Sequence, residues 1–198
     1  MIHGPLKAAF RRVLSDYGLY LIYRATDRAP GPKVLAGTSF GPVNSREIVL
    51  SAPSETIRNL ADYIGEDAAG FGAWVDGKLV SLCWFWWGQR YRSSRTVWPL
   101  SDGEAKLVQI STDESFRCRQ IATNLIRYGA CEMRQQGAGQ LYARIWHSHT
   151  ASIKAFENAG WQKIAYVGRV AFRRGQYYRL ILQQEPTLRV SLSRQNKG

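Results

Sequence analysis

Residues 108–125, near the middle of the chain, change from the periodicity of a strand to that of a helix. Apolar residues alternate over 108–112, and from Ile121 onward they recur at helical spacing. The polar break at 113–120 therefore predicts a strand, a turn and the start of a helix. Such a junction directs several free backbone N–H groups, and the positive end of the helix dipole, at one point, which suits a phosphate group.

The run Arg117-Cys118-Arg119-Gln120-Ile121-Ala122, which ends this turn, resembles the donor-binding signature of the GNAT superfamily of N-acyltransferases. That signature is Arg or Gln, two residues, Gly, one residue, then Gly or Ala, at the start of a helix that follows a strand. Arg117 and Ala122 fit it, whereas Gln120 replaces the central Gly that lets the family's backbone approach the pyrophosphate of coenzyme A. The resemblance implies donor binding by a run of neighbouring residues: Ile110, Thr112, Arg117, Cys118, Arg119, Gln120, Ile121 and Ala122.

A second block of the same family follows the strand-like run 141–146. In the family an Asn follows this strand, a small residue lies three further on, an aromatic residue lies seven further on, and Gly-aromatic ends the helix. His149, Ser152, Phe156 and Gly160-Trp161 occupy these places. Two blocks in the right order and separation are more specific than one, and the resemblance covers about residues 70–182.

The resemblance implies the GNAT fold, an α/β (α+β) architecture. Its central sheet is mixed and mostly antiparallel, with splayed central strands, and is flanked by helices. A chain of 198 residues with 45% hydrophobic residues can bury one core, so we expect a single domain over residues 1–198.

The two ends of the chain carry distinct patterns. Pro5 to Tyr17 has one apolar helical face, which predicts an amphipathic helix within residues 1–18 that ends at Gly18. Its docking surface is its own domain, a partner or a membrane surface. Residues 185–198 are interpreted as a basic tail.

Hydrophobic periodicity and turn residues predict the other elements. They are a strand at Leu19–Arg24, a loop at Arg28–Pro42, a helix at Ser54–Ile64, a hairpin of Gly70–Val75 and Lys78–Trp87 around Asp76-Gly77, a basic loop at Gln89–Asp102, a strand at Lys106–Thr112, a helix at Ile121–Gln136, a strand at Leu141–Trp146 and a hairpin of Ile164–Val170 and Phe172–Leu182.

Four consecutive aromatic residues, Trp84 to Trp87, end the second strand of the predicted hairpin. Because successive strand residues point to opposite faces, both faces of this strand must be covered. Two interpretations stay open, an ordinary core and the wall of a substrate slot.

The net charge of +12 predicts an acidic partner, for which nucleic acid, anionic lipid and an acidic carrier protein qualify. No nucleic-acid module accompanies the basic residues, so we expect no nucleic acid. The three cysteines have no metal-binding spacing and leave an odd thiol, which favours a reducing compartment and no metal. With no membrane-spanning run and no apolar leader at residues 1–10, a cytoplasmic location is expected.

Acyl transfer to an amine needs a deprotonated amine, a polarised carbonyl and an acid for the departing thiolate. In the GNAT family a backbone N–H on the first splayed strand polarises the carbonyl, which would fall near Ile110. Glu104 is the implied base, although it could instead pair with Lys106; His147 and His149 are alternative bases. The family's frequent Tyr acid is replaced by Phe156, which has no proton to donate.

The identity of the donor depends on Gln120 and on the charge. A loop that binds only one phosphodiester could dispense with the missing Gly, and a basic surface could hold an acidic carrier. The sequence therefore favours a long-chain N-acyl amino acid synthase-like enzyme, related to the acyl-homoserine lactone synthases, that takes its acyl group from acyl carrier protein. One alternative is an acetyl-CoA-dependent N-acetyltransferase, with acetyl-CoA or another acyl-CoA as the donor in place of acyl carrier protein. The other is a non-catalytic GNAT-fold module that binds an acidic partner.

Overall fold

The computed structural model describes residues 14–27, 29–94, 98–172, 177–183 and 189–195. The chain divides into two compact units. The larger unit comprises residues 23–143 and 150–162, and the smaller unit comprises residues 1–22, 144–149 and 163–198. Strands β1, β6 and β7 contribute residues to both units.

The larger unit contains a sheet with the strand order β2-β3-β4-β5-β6. Its strands are β2 (Thr38–Val43), β3 (Ala68–Val75), β4 (Lys78–Trp86), β5 (Ala105–Thr112) and β6 (Leu141–Trp146). Its helices are α1 (Arg46–Leu50), α2 (Glu55–Arg58), α3 (Gly88–Ser93), α4 (Ile121–Gln135) and α5 (Thr150–Asn158), with 3-10 turns at Ala61–Tyr63 and Glu114–Phe116. Neighbouring strands are antiparallel except β5 and β6, which are parallel.

The smaller unit is built on the strand order β6-β1-β7-β8-β9. Strand β1 runs over Leu14–Ala25, β7 over Trp161–Phe172, β8 over Tyr177–Gln183 and β9 over Arg189–Gln195. Strands β7, β8 and β9 pair antiparallel in sequence order. Both units together confirm the expected mixed, mostly antiparallel sheet flanked by helices.

The aromatic end of β4 is buried on both faces, as its sequence predicts. Trp84 packs in one core cluster with residues of α1 and α2. Phe85 lies on the opposite face, where α4 approaches it closely at Gly129. A Cβ at Gly129 would lie 2.8 Å from Phe85 Cε2, so only glycine permits this contact. Trp84 and Phe85 are therefore core residues.

The turn between β3 and β4 confirms the predicted hairpin. Asp76 and Gly77 both adopt positive φ, 50° and 73°. These are the backbone values that a two-residue type I′ turn requires, and Asp-Gly favours them. The turn fixes the register of β4 against β3, and β5 pairs with the other edge of β4.

The described residues at both ends of the chain form strands that were not predicted. Residues 14–17, expected to continue the N-terminal helix, begin β1 instead, and residues 5–13 lie outside the described part. In the expected basic tail, Arg189–Gln195 forms β9 by pairing with β8, and the rest of 185–198 lies outside the description. In these described residues, strand pairing decided the conformation.

Two internal segments, a loop and a helix, also require correction. The loop at Arg28–Pro42 ends early, because β2 begins at Thr38 and pairs with β3. The helix expected at Ser54–Ile64 ends at Arg58, and Leu60, with φ of −94° and ψ of 5°, precedes a separate 3-10 turn at Ala61–Tyr63.

The basic loop at Gln89–Asp102 contains α3, which no local pattern announced. The cap of this helix is distant in sequence, since Asp67 Oδ2 accepts the Gln89 N–H at 2.7 Å. Helix α1, with Ser45 as its N-cap, was not predicted because five residues are too few for a periodic signal. In the described ranges, no helix has both the length and the apolar character needed to cross a membrane.

Candidate active site

Strands β5 and β6 pair over three residues each and then part. The pairs are Ala105 with Leu141, Lys106 with Tyr142 and Leu107 with Ala143. Beyond Leu107, the ladder partners of β5 among the described residues lie on β4 alone. One edge of β5 over residues 108–112 is therefore open, as expected for a splayed strand.

A β-bulge decides which N–H groups of β5 face the open edge. Trp84 lies opposite Gln109 and Phe85 lies opposite Leu107, so Val108 is an extra residue that shifts the alternation. Before the bulge, the Ala105 N–H donates toward β6, to Gln140 O at 3.0 Å.

After the bulge, the backbone N–H groups of the odd-numbered residues point toward β4 instead of β6. The Asp113 N–H donates toward β4, to Val80 O at 2.8 Å. Because successive N–H groups of a strand point to opposite edges, those of Ile110 and Thr112 lie at the open edge. Ile110 is thus the first residue after the bulge that presents a free donor there.

The loop that follows β5 has an unusual backbone. Asp113 closes the 3-10 turn by accepting the Ser115 N–H at its Oδ1, at 2.9 Å. Cys118 and Gln120 then adopt positive φ, 63° and 59°. Gln120 thus takes the left-handed conformation that glycine prefers, although it has a side chain.

This backbone leaves a group of N–H donors without acceptors in the described part of the chain. The first intrahelical bond of α4 is donated by the Asn124 N–H to Gln120 O at 3.0 Å. The N–H groups of residues 118–123, which precede it, have no such partner. Together with the dipole of a 15-residue helix, they make this loop a candidate anion-binding site.

The charged side chains of the loop nearly cancel one another. Arg117 Nη1 lies 3.0 Å from Glu114 Oε1, and both side chains are exposed. Arg119 lies over the Phe116 ring, 5.1 Å from its centroid. With Asp113 and Glu114 opposing Arg117 and Arg119, the positive potential of the loop comes mainly from its N–H groups and the helix dipole.

We predict that Gln120→Gly stabilises the protein. A left-handed side-chain-bearing residue costs about 1 kcal/mol, so its replacement by glycine should raise the unfolding free energy by roughly 0.5–1 kcal/mol and leave donor binding intact. Thermal denaturation of wild type, Gln120→Gly and Gln120→Ala measures this. The alanine variant keeps the strained conformation, so equal stability of the two variants would show that φ is not the cause.

Glu104 forms hydrogen bonds at the start of β5, where β5 and β6 are still paired. Its Oε1 accepts from the Tyr142 hydroxyl at 3.2 Å and its Oε2 from the Ser101 N–H at 2.8 Å. Burial, and then the charge of Glu104, raise the pKa of Tyr142 to about 12, so this phenol stays protonated at neutral pH.

The structure does not bring Glu104 to Ile110. Glu104 directly precedes β5 and is six positions from Ile110, which is about 20 Å in an extended chain. As a base, Glu104 would therefore need a chain of several water molecules to reach the amine. Lys106, the alternative partner of Glu104, donates to the Tyr91 hydroxyl at 3.2 Å.

The two candidate histidines belong to the smaller unit and are both exposed. The His149 N–H donates to Trp146 O at 2.9 Å, and the His147 N–H donates to Leu19 O at 3.1 Å. Phe156, in the larger unit, is buried against Tyr23 and supplies no proton. The roles of the histidines remain predictions.

Asn124 is a site residue that the sequence analysis missed. It is fully buried on α4, its Nδ2 donates to Gln120 O at 3.0 Å, and its Oδ1 accepts the Lys33 N–H at 2.8 Å. An Asn on the apolar face of an amphipathic helix was the available signal, since a buried amide needs partners. No group of metal-binding side chains occurs in the described ranges.

Comparison with known proteins identifies the family. The sequence model of the acetyltransferase (GNAT) family matches residues 43–161, which is more than half of the chain. The chain belongs to the GNAT acetyltransferase family. The match contains β5, the anion-binding loop, α4 and α5, so the parts of the site in the larger unit are GNAT elements. No protein of curated function matches the chain.

Solved GNAT structures share the fold. An acetyltransferase of the GNAT family from Colwellia psychrerythraea has a TM-score of 0.58 at 15% identity, over 85% of this chain and 62% of its own. A GNAT-family protein from Novosphingobium aromaticivorans gives 0.55 at 15%, over 79% and 65%. A GCN5-related N-acetyltransferase from Sphaerobacter thermophilus gives 0.55 at 14%, over 85% and 56%. The chain thus spans less than two thirds of each.

Proposed function

We propose that this GNAT protein is an N-acyltransferase that moves an acyl group from a thioester of coenzyme A to the amine of a small acceptor. The observation that carries the proposal is the open edge of β5, which presents the Ile110 and Thr112 N–H groups and continues directly into the anion-binding loop. A phosphate-bearing donor bound at the loop would lie along this edge, with its thioester carbonyl within reach of the Ile110 N–H.

The chemistry asks little of the chain beyond positioning and charge stabilisation. The acceptor nitrogen attacks the carbonyl carbon, and the Ile110 N–H stabilises the negative oxygen that forms. The carbon–sulfur bond then breaks, and the thiolate takes up a proton from solvent. For Glu104 to accept the proton that the amine loses, a chain of several water molecules would have to carry it.

The geometry of Gln120 changes the balance between the two donors. Acyl carrier protein was favoured because the loss of glycine could have spoiled a pyrophosphate site. Gln120 nevertheless holds the left-handed conformation, and the N–H groups of residues 118–123 stay free of partners in the described chain. This supports coenzyme A; the net charge of +12 is what still supports a carrier protein.

If the acceptor is an amino acid, the candidate cations for its carboxylate are Arg90, Arg92, Arg95 and Arg144. Arg90 is engaged by the carbonyls of Asp62 and Ile64, and Arg92 lies 3.4 Å from Asp102. Arg144 is exposed on the smaller unit and lies over the Tyr20 ring, 4.6 Å from its centroid. Arg95 lies outside the described residues.

A thiol-release assay tests the proposal. The protein is incubated with acetyl-CoA, longer acyl-CoA thioesters or acyl carrier protein, each with a panel of amines and amino acids. We expect amine-dependent release of coenzyme A. Turnover restricted to the carrier protein and suppressed by salt would replace the donor. Absence of turnover with every donor would favour a binding module.

A further inference from the structure

A fully buried side chain ties a distant segment to the anion-binding loop. Asn124 Oδ1 accepts the Lys33 N–H at 2.8 Å, while its Nδ2 donates to Gln120 O at 3.0 Å. These two hydrogen bonds, with the Asn124 amide group between them, place the Lys33 backbone N–H within about 8 Å of Gln120 O at the start of α4. Asn124 therefore positions Lys33 beside the anion-binding site.

The segment around Lys33 is held at several further points. Thr26 Oγ1 donates to Gly160 O at 2.9 Å, and a Cβ at Gly160 would lie 2.7 Å from Pro30 Cδ. Pro30 and Pro32 also restrict the backbone just before Lys33. The position of Lys33 is thus fixed by contacts, while its side chain is exposed.

Lys33 adds a charge that the loop lacks. The side chains of the loop cancel, as Asp113 and Glu114 oppose Arg117 and Arg119. No carboxylate in the described ranges lies within ion-pair distance of Lys33. A lysine side chain reaches about 6 Å from its Cα, which is long enough to bring its ammonium to the rim of the site.

The geometry points to Lys33 as the residue that binds the 3′-phosphate of coenzyme A and thereby selects this donor over carrier-bound phosphopantetheine. The inference rests on the proposed function. The N–H groups of residues 118–123 suit the pyrophosphate, and a compact ammonium at their rim suits a phosphate monoester of about two negative charges. Carrier-bound phosphopantetheine has no such group, so Lys33 would discriminate between the two donors.

Calorimetric titration with coenzyme A and with 3′-dephospho-coenzyme A tests the assignment directly. Wild type should bind coenzyme A about 3- to 10-fold more tightly than the dephospho form. In Lys33→Met the two affinities should become equal, because only the contact to the 3′-phosphate is lost. Lys33→Arg keeps the charge and should restore most of the preference.

Arg46→Met is the matched control for loss of one exposed charge. Arg46 lies on α1, whose residues pack with Trp84 on the sheet face opposite to α4. The Arg46→Met variant should therefore leave the preference for coenzyme A over the dephospho form unchanged. A preference that persists in Lys33→Met would overturn the assignment. An equal loss of affinity for both ligands would instead place Lys33 at the pyrophosphate and overturn it as well.

The titration separates failure of this inference from failure of the proposed function. If wild type binds coenzyme A and Lys33→Met keeps the same preference for it over the dephospho form, only the role of Lys33 is rejected. If wild type binds neither form and releases no thiol from acyl-CoA, both coenzyme A as the donor and the role of Lys33 are rejected.

Discussion

Ile110→Pro should lower kcat by about 100- to 1,000-fold, because it removes the donor that stabilises the negative oxygen in the transition state. The Ile110 N–H faces the open edge, so proline breaks no ladder bond to β4. We therefore expect the variant to fold and to bind coenzyme A with near wild-type affinity. Steady-state kinetics, calorimetry and thermal denaturation measure the three quantities.

Two companion variants make the Ile110 result specific. Ile110→Val changes the side chain and keeps the N–H, so its kcat should stay within a few-fold of wild type. Ser111→Pro removes an N–H that points toward β4, so it should destabilise the protein instead. A kcat of Ile110→Pro equal to that of wild type would exclude the Ile110 N–H as the hydrogen-bond donor to the negative oxygen. If the proline variant unfolds, an amide-to-ester substitution at position 110 removes the donor without the ring.

Replacing Arg117 and Arg119 together by Ala should raise the half-saturating donor concentration by about 10-fold, because the carboxylates of Asp113 and Glu114 are then left beside the phosphates without compensating cations. The kcat should change little, since both side chains bind a part of the donor that does not react. Initial rates at varied acyl-CoA concentration separate the two parameters.

Glu114 provides an internal control for the arginine variant. Its carboxylate is paired with Arg117, so Glu114→Ala should lower the half-saturating concentration by removing a negative charge beside the phosphates. The double arginine variant would contradict a phosphate role if its half-saturation equalled that of wild type. A fall in kcat at constant half-saturation would also contradict it.

Periodicity and turn chemistry predicted the elements that position the site. Helix α4 was expected at Ile121–Gln136 and ends one residue earlier, and β6 has the bounds expected of it. These segments were readable because each buries one regular face within a few turns or strand residues. The open edge of β5 was expected from family resemblance, since residue spacing alone does not reveal strand pairing.

Other parts of the site depend on contacts between distant residues. The left-handed conformation of Gln120 could not be read from a residue that disfavours it. The link from Asn124 to Lys33 spans 91 positions, and the bulge at Val108 is set by the register of β4. Helix α3 likewise takes its cap from Asp67, 22 positions away from Gln89. Each of these is a tertiary effect that overrides local preference.

The most direct test follows the backbone amides of ¹⁵N-labelled protein during titration with a non-hydrolysable acyl-CoA analogue. The account predicts that the Ile110 and Thr112 signals and those of residues 118–123 shift together and become protected from hydrogen exchange. Tight binding of the analogue with these amides unchanged would place the donor elsewhere and contradict the account.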